Sequence, residues 1–309
     1  MRGTVLVEGL PGSGKSATAH DIAAWLADEG VEVEHWPEGA TDHPVDFEQV
    51  AVLRAHDLAD IASQWPDAAP VLHQVAEPSG DVWLVRSQHH PALPPELVER
   101  LRRHDAYDGD VPPELHSAVL VDSWRRHGSS VTGTAAGAGT RPEAVQVWEC
   151  VLLQNPVCAL VARADQPLEV LMRHVAELVG AVRSQAPALV YLDTGDPSPF
   201  LERAAAERPA EWLDFVVGYH TQQGLGLRRG LVGFDGYVEF MRLRREMELA
   251  LVQALSDAGL PVLTVAVDPS RREASGRAEQ AAVRDFLADH LGLVRGRPRA
   301  GRPDTLPVA

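Results

Sequence analysis

One lysine stands in this chain of 309 residues, and its position constrains the fold more than any other feature. Lysine and arginine together number 28, and every one except Lys15 is arginine. A general bias toward arginine accounts for the rest but not for the exception. A compact ammonium on a thin stem enters a site enclosed by backbone that a planar guanidinium cannot. Lys15 belongs to Gly9-Leu10-Pro11-Gly12-Ser13-Gly14-Lys15-Ser16, the spacing GxxxxGK[ST]. Before it, Thr4 to Glu8 is a β-branched apolar run; after it, Ser16 to Glu29 places Ala19, Ile22, Ala23 and Leu26 on one helical face. Strand, glycine loop and helix in that order turn successive N–H groups inward around an anion, and the helix N-terminus adds its partial positive charge. Gly9, Pro11, Gly12, Ser13, Gly14, Lys15 and Ser16 are therefore expected to hold the phosphates of a nucleotide, with Lys15 on the β and γ oxygens and Ser16 on Mg²⁺. The plainer alternative is a glycine turn that only caps a helix.

Composition narrows the function class. With 45% hydrophobic and 23% charged residues the chain can bury a sizeable core. Its formal charge of −16 repels nucleic-acid phosphates, so no nucleic-acid partner is expected. The two cysteines, Cys150 and Cys158, lie in apolar sequence and build neither a disulfide framework nor a cysteine zinc site. No apolar run reaches the ~20 residues of a membrane span, so a soluble cytoplasmic protein without a membrane partner is expected.

Along the chain, Val31 to Trp36 reads as a second strand closed by Pro37-Glu38-Gly39, and Asp46 to Gln64 carries apolar groups at helical spacing. Val82 to Val85 reads as a short strand, and helices open at Pro94-Pro95 and Pro112-Pro113. Gly128 to Thr140 reads as a flexible loop or spacer, and Ala144 to Leu153 as a buried central strand interrupted by Glu149. Helix follows from Pro167 to Ser184, and Ala188 to Asp193 is a further strand. A glycine- and arginine-rich segment spans Gly218 to Gly236, a long helix Tyr237 to Asp257, a last strand Pro261 to Val267 and a last helix Glu279 to Leu291. Five of these strands, alternating with helices, imply an α/β fold of three layers around a doubly wound, mainly parallel five-stranded sheet, with ligands at the C-terminal strand ends. We expect a single domain over 1–295, with a helical acceptor-side insertion at about 65–143, a lid at about 212–236 and a mobile tail at 296–309.

This order of motifs resembles the P-loop nucleoside and nucleoside-monophosphate kinases, thymidylate-kinase-like above all. Ala188 to Asp193 with Phe200-Leu201-Glu202-Arg203 resembles the strand and helix before the lid. Phe240 to Met247 resembles the helix leaving it, and Pro261 to Pro269 the closing strand. The resemblance implies a phosphotransferase using ATP and Mg²⁺, and raises the expectation of a homodimer. Where those families carry Asp-Arg or Glu-Arg-Ser, this chain has Glu149-Cys150. The arginine that would hold an acceptor's phosphate is missing, so a neutral hydroxyl suits the acceptor better.

Glu38 stands where deoxynucleoside kinases and some P-loop antibiotic kinases place the carboxylate that takes the proton from an accepting hydroxyl; a solvated turn acid is the alternative. Asp42 and His43 follow as substrate contacts or substitute bases, with Trp36 beside them. Glu149, inside the most apolar strand, needs a partner, which Mg²⁺ beside Ser16 or backbone N–H groups would supply. Gln154 and Asn155 suit recognition of a neutral polar acceptor, though Asn155-Pro156 is also an ordinary turn. Arg228 and Arg229, among glycines that permit hinge motion, are the lid cations, with Arg242, Arg244 and Arg245 as alternatives and Arg245 taken with them as catalytic. Asp193 reads equally as metal shell or helix cap, and His89, His90 and His220 have no metal-ligand spacing.

The expected activity is transfer of the γ-phosphoryl group of ATP to a hydroxyl of a small molecule, nucleoside-like or a natural product or antibiotic. The alternative is an NTPase switch or regulator with no small-molecule acceptor. A GTPase needs a second lysine to read guanine, and a motor needs an apolar run ending Asp-Glu; neither Trp148-Glu149-Cys150 nor Leu192-Asp193-Thr194 supplies one.

Overall fold

The computed structural model describes residues 2–130, 144–268 and 276–293. The expected tail and most of the expected spacer lie outside the described residues. In chain order, β1 (Gly3–Gly9) leads through the glycine loop to α1 (Lys15–Asp28) and β2 (Val33–Trp36). Then come β3 (Ala51–Arg54), α2 (Ala55–Gln64), α3 (Ala69–Val75), β4 (Glu77–Ser79), β5 (Val82–Val85), α4 (Pro95–Arg102) and α5 (Pro113–Ser130). β6 (Val145–Glu149) is followed by α6 (Gln154–Pro156), which continues into a π-helical stretch, Val157–Arg163, and by α7 (Leu168–Ala181) and β7 (Pro187–Asp193). The remainder is α8 (Ser198–Glu207), α9 (Ala210–Thr221), α10 (Gly224–Arg229), α11 (Gly233–Asp257), β8 (Val262–Ala266) and α12 (Arg277–Leu291).

The main sheet has the order β2-β6-β1-β7-β8, with every pair parallel. β1 is central, and all seven of its residues are buried, because parallel strands joined by helical crossovers are covered on both faces. Val5 and Val7 face the layer of α1 and α12, meeting Ala19, Ile22, Leu26, Val283 and Leu287. Leu6 faces the opposite layer, where Trp124 of α5, Leu171 and Val175 of α7 and Phe240 of α11 close the larger core. The period of two along β1 puts Glu8 on the Leu6 side. Among the described residues no helix is long and apolar enough to cross a membrane.

Five expectations change. Asp46 to Gln64 is not one helix. Val50 to Leu53 is β-branched and apolar enough to make strand β3, which pairs antiparallel with β5, and the helix starts only at Ala55, where Asp57 accepts from the Arg54 N–H at 3.0 Å. The insertion is accordingly mixed rather than helical, with a three-stranded sheet ordered β3-β5-β4. The strand expected to reach Leu153 ends at Glu149, because Cys150 takes a left-handed backbone (φ 68°) and turns the chain toward α6. It lies beside the central strand instead of being it.

The glycine- and arginine-rich segment is helical, forming the end of α9, α10 and the start of α11. Two of its glycines serve close contact: a Cβ on Gly224 would lie 2.1 Å from the Ala162 carbonyl oxygen, and one on Gly226 would lie 1.9 Å from that of His220. They let α10 dock, which is a packing reason for glycine where the sequence suggests a hinge.

Candidate functional site

The loop between β1 and α1 lies at the C-terminal edge of the sheet. Gly9, Gly12 and Gly14 have positive φ (148°, 80° and 91°), which lets the chain curl tightly between strand and helix. A Cβ on Gly9 would stand 2.6 Å from the Leu192 carbonyl oxygen and 2.9 Å from Ser13 Oγ, so only glycine fits against β7 there. Gly12 backs onto Phe200 of α8. Lys15, the first residue of α1, is only 6% exposed, and its ammonium donates to the Leu10 carbonyl at 3.2 Å. Among the described residues no carboxylate forms an ion pair with it. Ser13 Oγ is buried in the same loop and has no hydrogen-bond partner.

Ser16, one residue into the helix, donates to Glu149 Oε2 at 2.7 Å. Glu149 ends β6, and its other oxygen meets His35 Nε2 of β2 at 2.6 Å. Burial pushes the Glu149 carboxyl up. The His35 and Ser16 hydrogen bonds, the charge of His35 and the Glu38 N–H outweigh it and hold the group below the usual carboxylate range. Two oxygen donors, a hydroxyl and an ionised carboxylate, suit a hard cation such as Mg²⁺, which needs few protein ligands when phosphates and water complete its shell. Among the described residues there is no group of three or more His, Cys, Asp and Glu fit to hold a metal by itself.

Glu38 lies just past β2 and is exposed. Gln154 Nε2 donates to its Oε1 at 2.5 Å, and Cys150 Sγ donates to Oε2 at 3.3 Å. Gln154 also reaches inward: its backbone N–H donates to Glu8 at 3.1 Å and its Oε1 accepts from Arg244 at 3.4 Å. Arg244 is fully buried and pairs with Glu248 at 2.6 Å, whose second oxygen accepts from the Tyr191 hydroxyl at 3.0 Å. Glu8 is pushed up to about 7, first by burial and then by the charge of Glu248, while backbone N–H groups of residues 152 to 154 oppose the rise.

Of the other predicted residues, Trp36, His43 and Asn155 are linked through contacts of their own. Trp36 donates to Gln146 at 2.9 Å and lies edge-on to His43, whose ring in turn meets Trp148. His43 is buried, accepts from the N–H groups of Val45 and Asp46 through Nδ1, and is held well below its ordinary value by burial, His127 and Arg86. Asp42 is exposed. Asn155 donates to Asp46 at 3.1 Å, an acid that the Tyr107 hydroxyl also reaches at 2.5 Å. Burial raises Asp46 to about 6. Glu48 goes up to about 7, through burial first and then the charges of Asp46, Asp105, Asp108 and Glu38.

The arginines divide sharply. Arg228 pairs with Asp165 on the surface, and Arg229 is exposed. Arg242 pairs with Asp196. Arg245 grips Asp193 at the end of β7 through two bonds of 2.6 and 2.8 Å, which holds that carboxyl below its ordinary range. Asp193 thus has a guanidinium partner in addition to the Gly195 N–H, which it accepts at 3.0 Å.

Sequence reasoning missed His35, Glu8 and Glu248 as parts of this edge, and took Arg244 only as an alternative lid cation, whereas it is buried against Glu248. Glu8 carried the same signal as Glu149, an acid inside an apolar strand; His35 carried none beyond strand alternation. A separate hollow of about 470 Å³ lies at the opposite sheet end, lined in part by Arg183, Leu255, Pro261 and His290, and includes none of the predicted residues. Neither models of known protein families nor curated proteins match the chain.

Proposed function

We propose that the chain is a P-loop phosphotransferase that moves the γ-phosphoryl group of ATP to a hydroxyl of a small molecule. The observation that carries this reading is the Lys15 ammonium, buried in a glycine loop with one neutral carbonyl as its partner. A buried cation so poorly compensated is costly unless an anion completes its shell, and the orphaned Ser13 hydroxyl beside it asks for the same ligand. A triphosphate tail on the loop amides of Gly9 to Ser16 answers both.

In this reading Ser16 and Glu149 hold Mg²⁺, which when bound neutralises charge on the β and γ oxygens. His35 keeps Glu149 ionised and oriented. The acceptor oxygen forms a bond to the γ phosphorus as the bond to the bridging oxygen breaks, ADP leaves, and Glu38 receives the hydroxyl proton. Both hydrogen bonds that reach the carboxylate come from neutral groups, Cys150 and Gln154. Arg245 is favoured over Arg228 and Arg229 as the cation for the transferring group, because its partner Asp193 ends the strand beside Gly9. In this reading Trp36, His43 and Asn155 frame the acceptor side through their own contacts, and the exposed Asp42 faces solvent beside them.

The test is a screen of nucleosides, nucleotides, sugars and antibiotics for stimulated ADP release, run with Lys15→Ala in parallel. Stimulation by one acceptor class, absent in Lys15→Ala, is the expected result. Wild-type protein with no Mg²⁺-dependent nucleotide affinity would sink the reading.

A further inference from the structure

We propose that Gln154 is a positioning residue for Glu38, set in place from two sides by Glu8 and Arg244. The inference rests on the phosphotransferase reading, in which Glu38 takes the acceptor's proton.

A glutamine amide offers an oxygen on one side and an NH₂ on the other, and the two are easily exchanged by rotation. Here the exchange is blocked. Arg244 has donors only, so the amide face turned toward it must be the oxygen, and Oε1 accepts from Nη2 at 3.4 Å. The NH₂ then necessarily faces Glu38, donating to Oε1 at 2.5 Å. Rotation would set N–H against guanidinium and oxygen against carboxylate, losing both bonds and creating two repulsions.

Arg244 cannot turn away to relieve this, since its Nε is bound to Glu248 at 2.6 Å in a site where both side chains are nearly inaccessible. Glu248 is itself held by Tyr191 of β7 at 3.0 Å. The backbone of Gln154 is fixed independently. Glu8 takes the Leu152 N–H at 2.6 Å and the Gln154 N–H at 3.1 Å, one on each carboxylate oxygen. Glu8 is the residue immediately before Gly9. The strand that carries the glycine loop and the helix that carries Arg244 therefore converge on one residue, the first on its backbone and the second on its side chain, and that side chain holds the candidate base.

The choice of a neutral donor is part of the device. An arginine or lysine at position 154 would set a full positive charge against Glu38, whereas an amide fixes its direction without adding charge. Gln154 is assigned here to orienting the base instead of to contacting the acceptor.

The test uses Gln154→Met, which keeps length and bulk but has no amide, with Gln154→Glu as a second variant that places a carboxylate against Glu38. With the acceptor that gives the greatest ADP release in the screen, kcat is expected to fall by about tenfold or more while KM for that acceptor moves by less than about threefold. A rise in KM with kcat preserved overturns the proposal, since it means direct contact with the acceptor.

A second measurement needs no acceptor: ¹³C relaxation of the Glu38 side-chain methylenes in the full-length protein. Greater motion in Gln154→Met than in wild type is expected, and equal motion overturns the proposal. Lys15→Ala separates the two ideas. If that variant keeps full Mg²⁺-dependent ATP affinity, the phosphotransferase reading falls, while the Glu38 relaxation result still decides whether Gln154 positions it. Should Gln154→Met not fold, Gln154→Glu is read by the same two criteria.

Discussion

The hydroxyl of Ser16 and the carboxylate of Glu149 meet at 2.7 Å although 133 positions separate them in the chain. The contact joins the first turn of α1 to the end of β6 across the mouth of the glycine loop. Glu149→Gln is expected to weaken Mg²⁺-dependent ATP binding by about tenfold, or about 1.4 kcal/mol, with little change in binding without the metal. Calorimetry with and without Mg²⁺ checks it, and equal losses in both conditions would exclude a metal role.

Lys15 makes a prediction of unusual sign. Its buried ammonium has one carbonyl partner, so Lys15→Met should leave the nucleotide-free protein as stable as wild type or more so. The same variant should lose the thermal stabilisation given by Mg²⁺-ATP. Melting temperatures with and without nucleotide test both halves, and a strongly destabilised nucleotide-free variant contradicts the account of the loop.

Glu38→Gln keeps the shape of the side chain and removes its basicity. Turnover on the acceptor should drop by about tenfold or more, equivalent to about 1.4 kcal/mol of barrier, with ATP affinity retained. Normal turnover would assign the proton to another group.

Arg245→Ala should depress kcat more than Arg228→Ala, because Asp193 holds Arg245 at the ligand edge of β7 while Arg228 is occupied with Asp165 on the surface. Steady-state kinetics of the two variants decide it, and the reverse order would place the acting cation on α10.

Acid stability has a defined direction. Burial, with lesser contributions, holds His116 down to about 4 and His174 down to about 3, against an ordinary 6.5. Between those values the unfolded chain binds protons that the folded chain does not, so this stability is complete above about 6.5 and drains away as pH falls. Glu8, raised to about 7 from 4.5, acts oppositely and loses stability as pH rises through that interval. Both ring nitrogens of His174 lack partners, so His174→Leu should stabilise the protein by about 1–3 kcal/mol at acid pH. Urea unfolding at pH 5 and pH 7.5 measures it, with the larger gain expected at pH 5.

The glycine loop, its single lysine, the helix after it and five strands of the main sheet were legible from local pattern. Each is a signal within a window of a dozen residues: a spacing, an apolar run or a helical period. Where local signals compete the reading failed. Asp46 to Gln64 satisfies a helical period, yet Ala51 to Arg54 pairs with Val82 to Val85 because a partner strand exists in space. The glycines at 224 and 226 imply motion until the Ala162 and His220 carbonyls are seen against them.

The sequence by itself determined that a tight glycine loop bearing the single lysine joins a buried strand to a helix and that a parallel α/β sheet carries it, since both follow from backbone freedom and short-range periodicity. Only the tertiary structure decided that Glu149 meets Ser16 and His35, that Glu38 is gripped by Gln154, and that Arg244 spends its charge on Glu248. Those contacts depend on strand order and register, which set distant residues side by side and leave no periodic trace in the chain that encodes them.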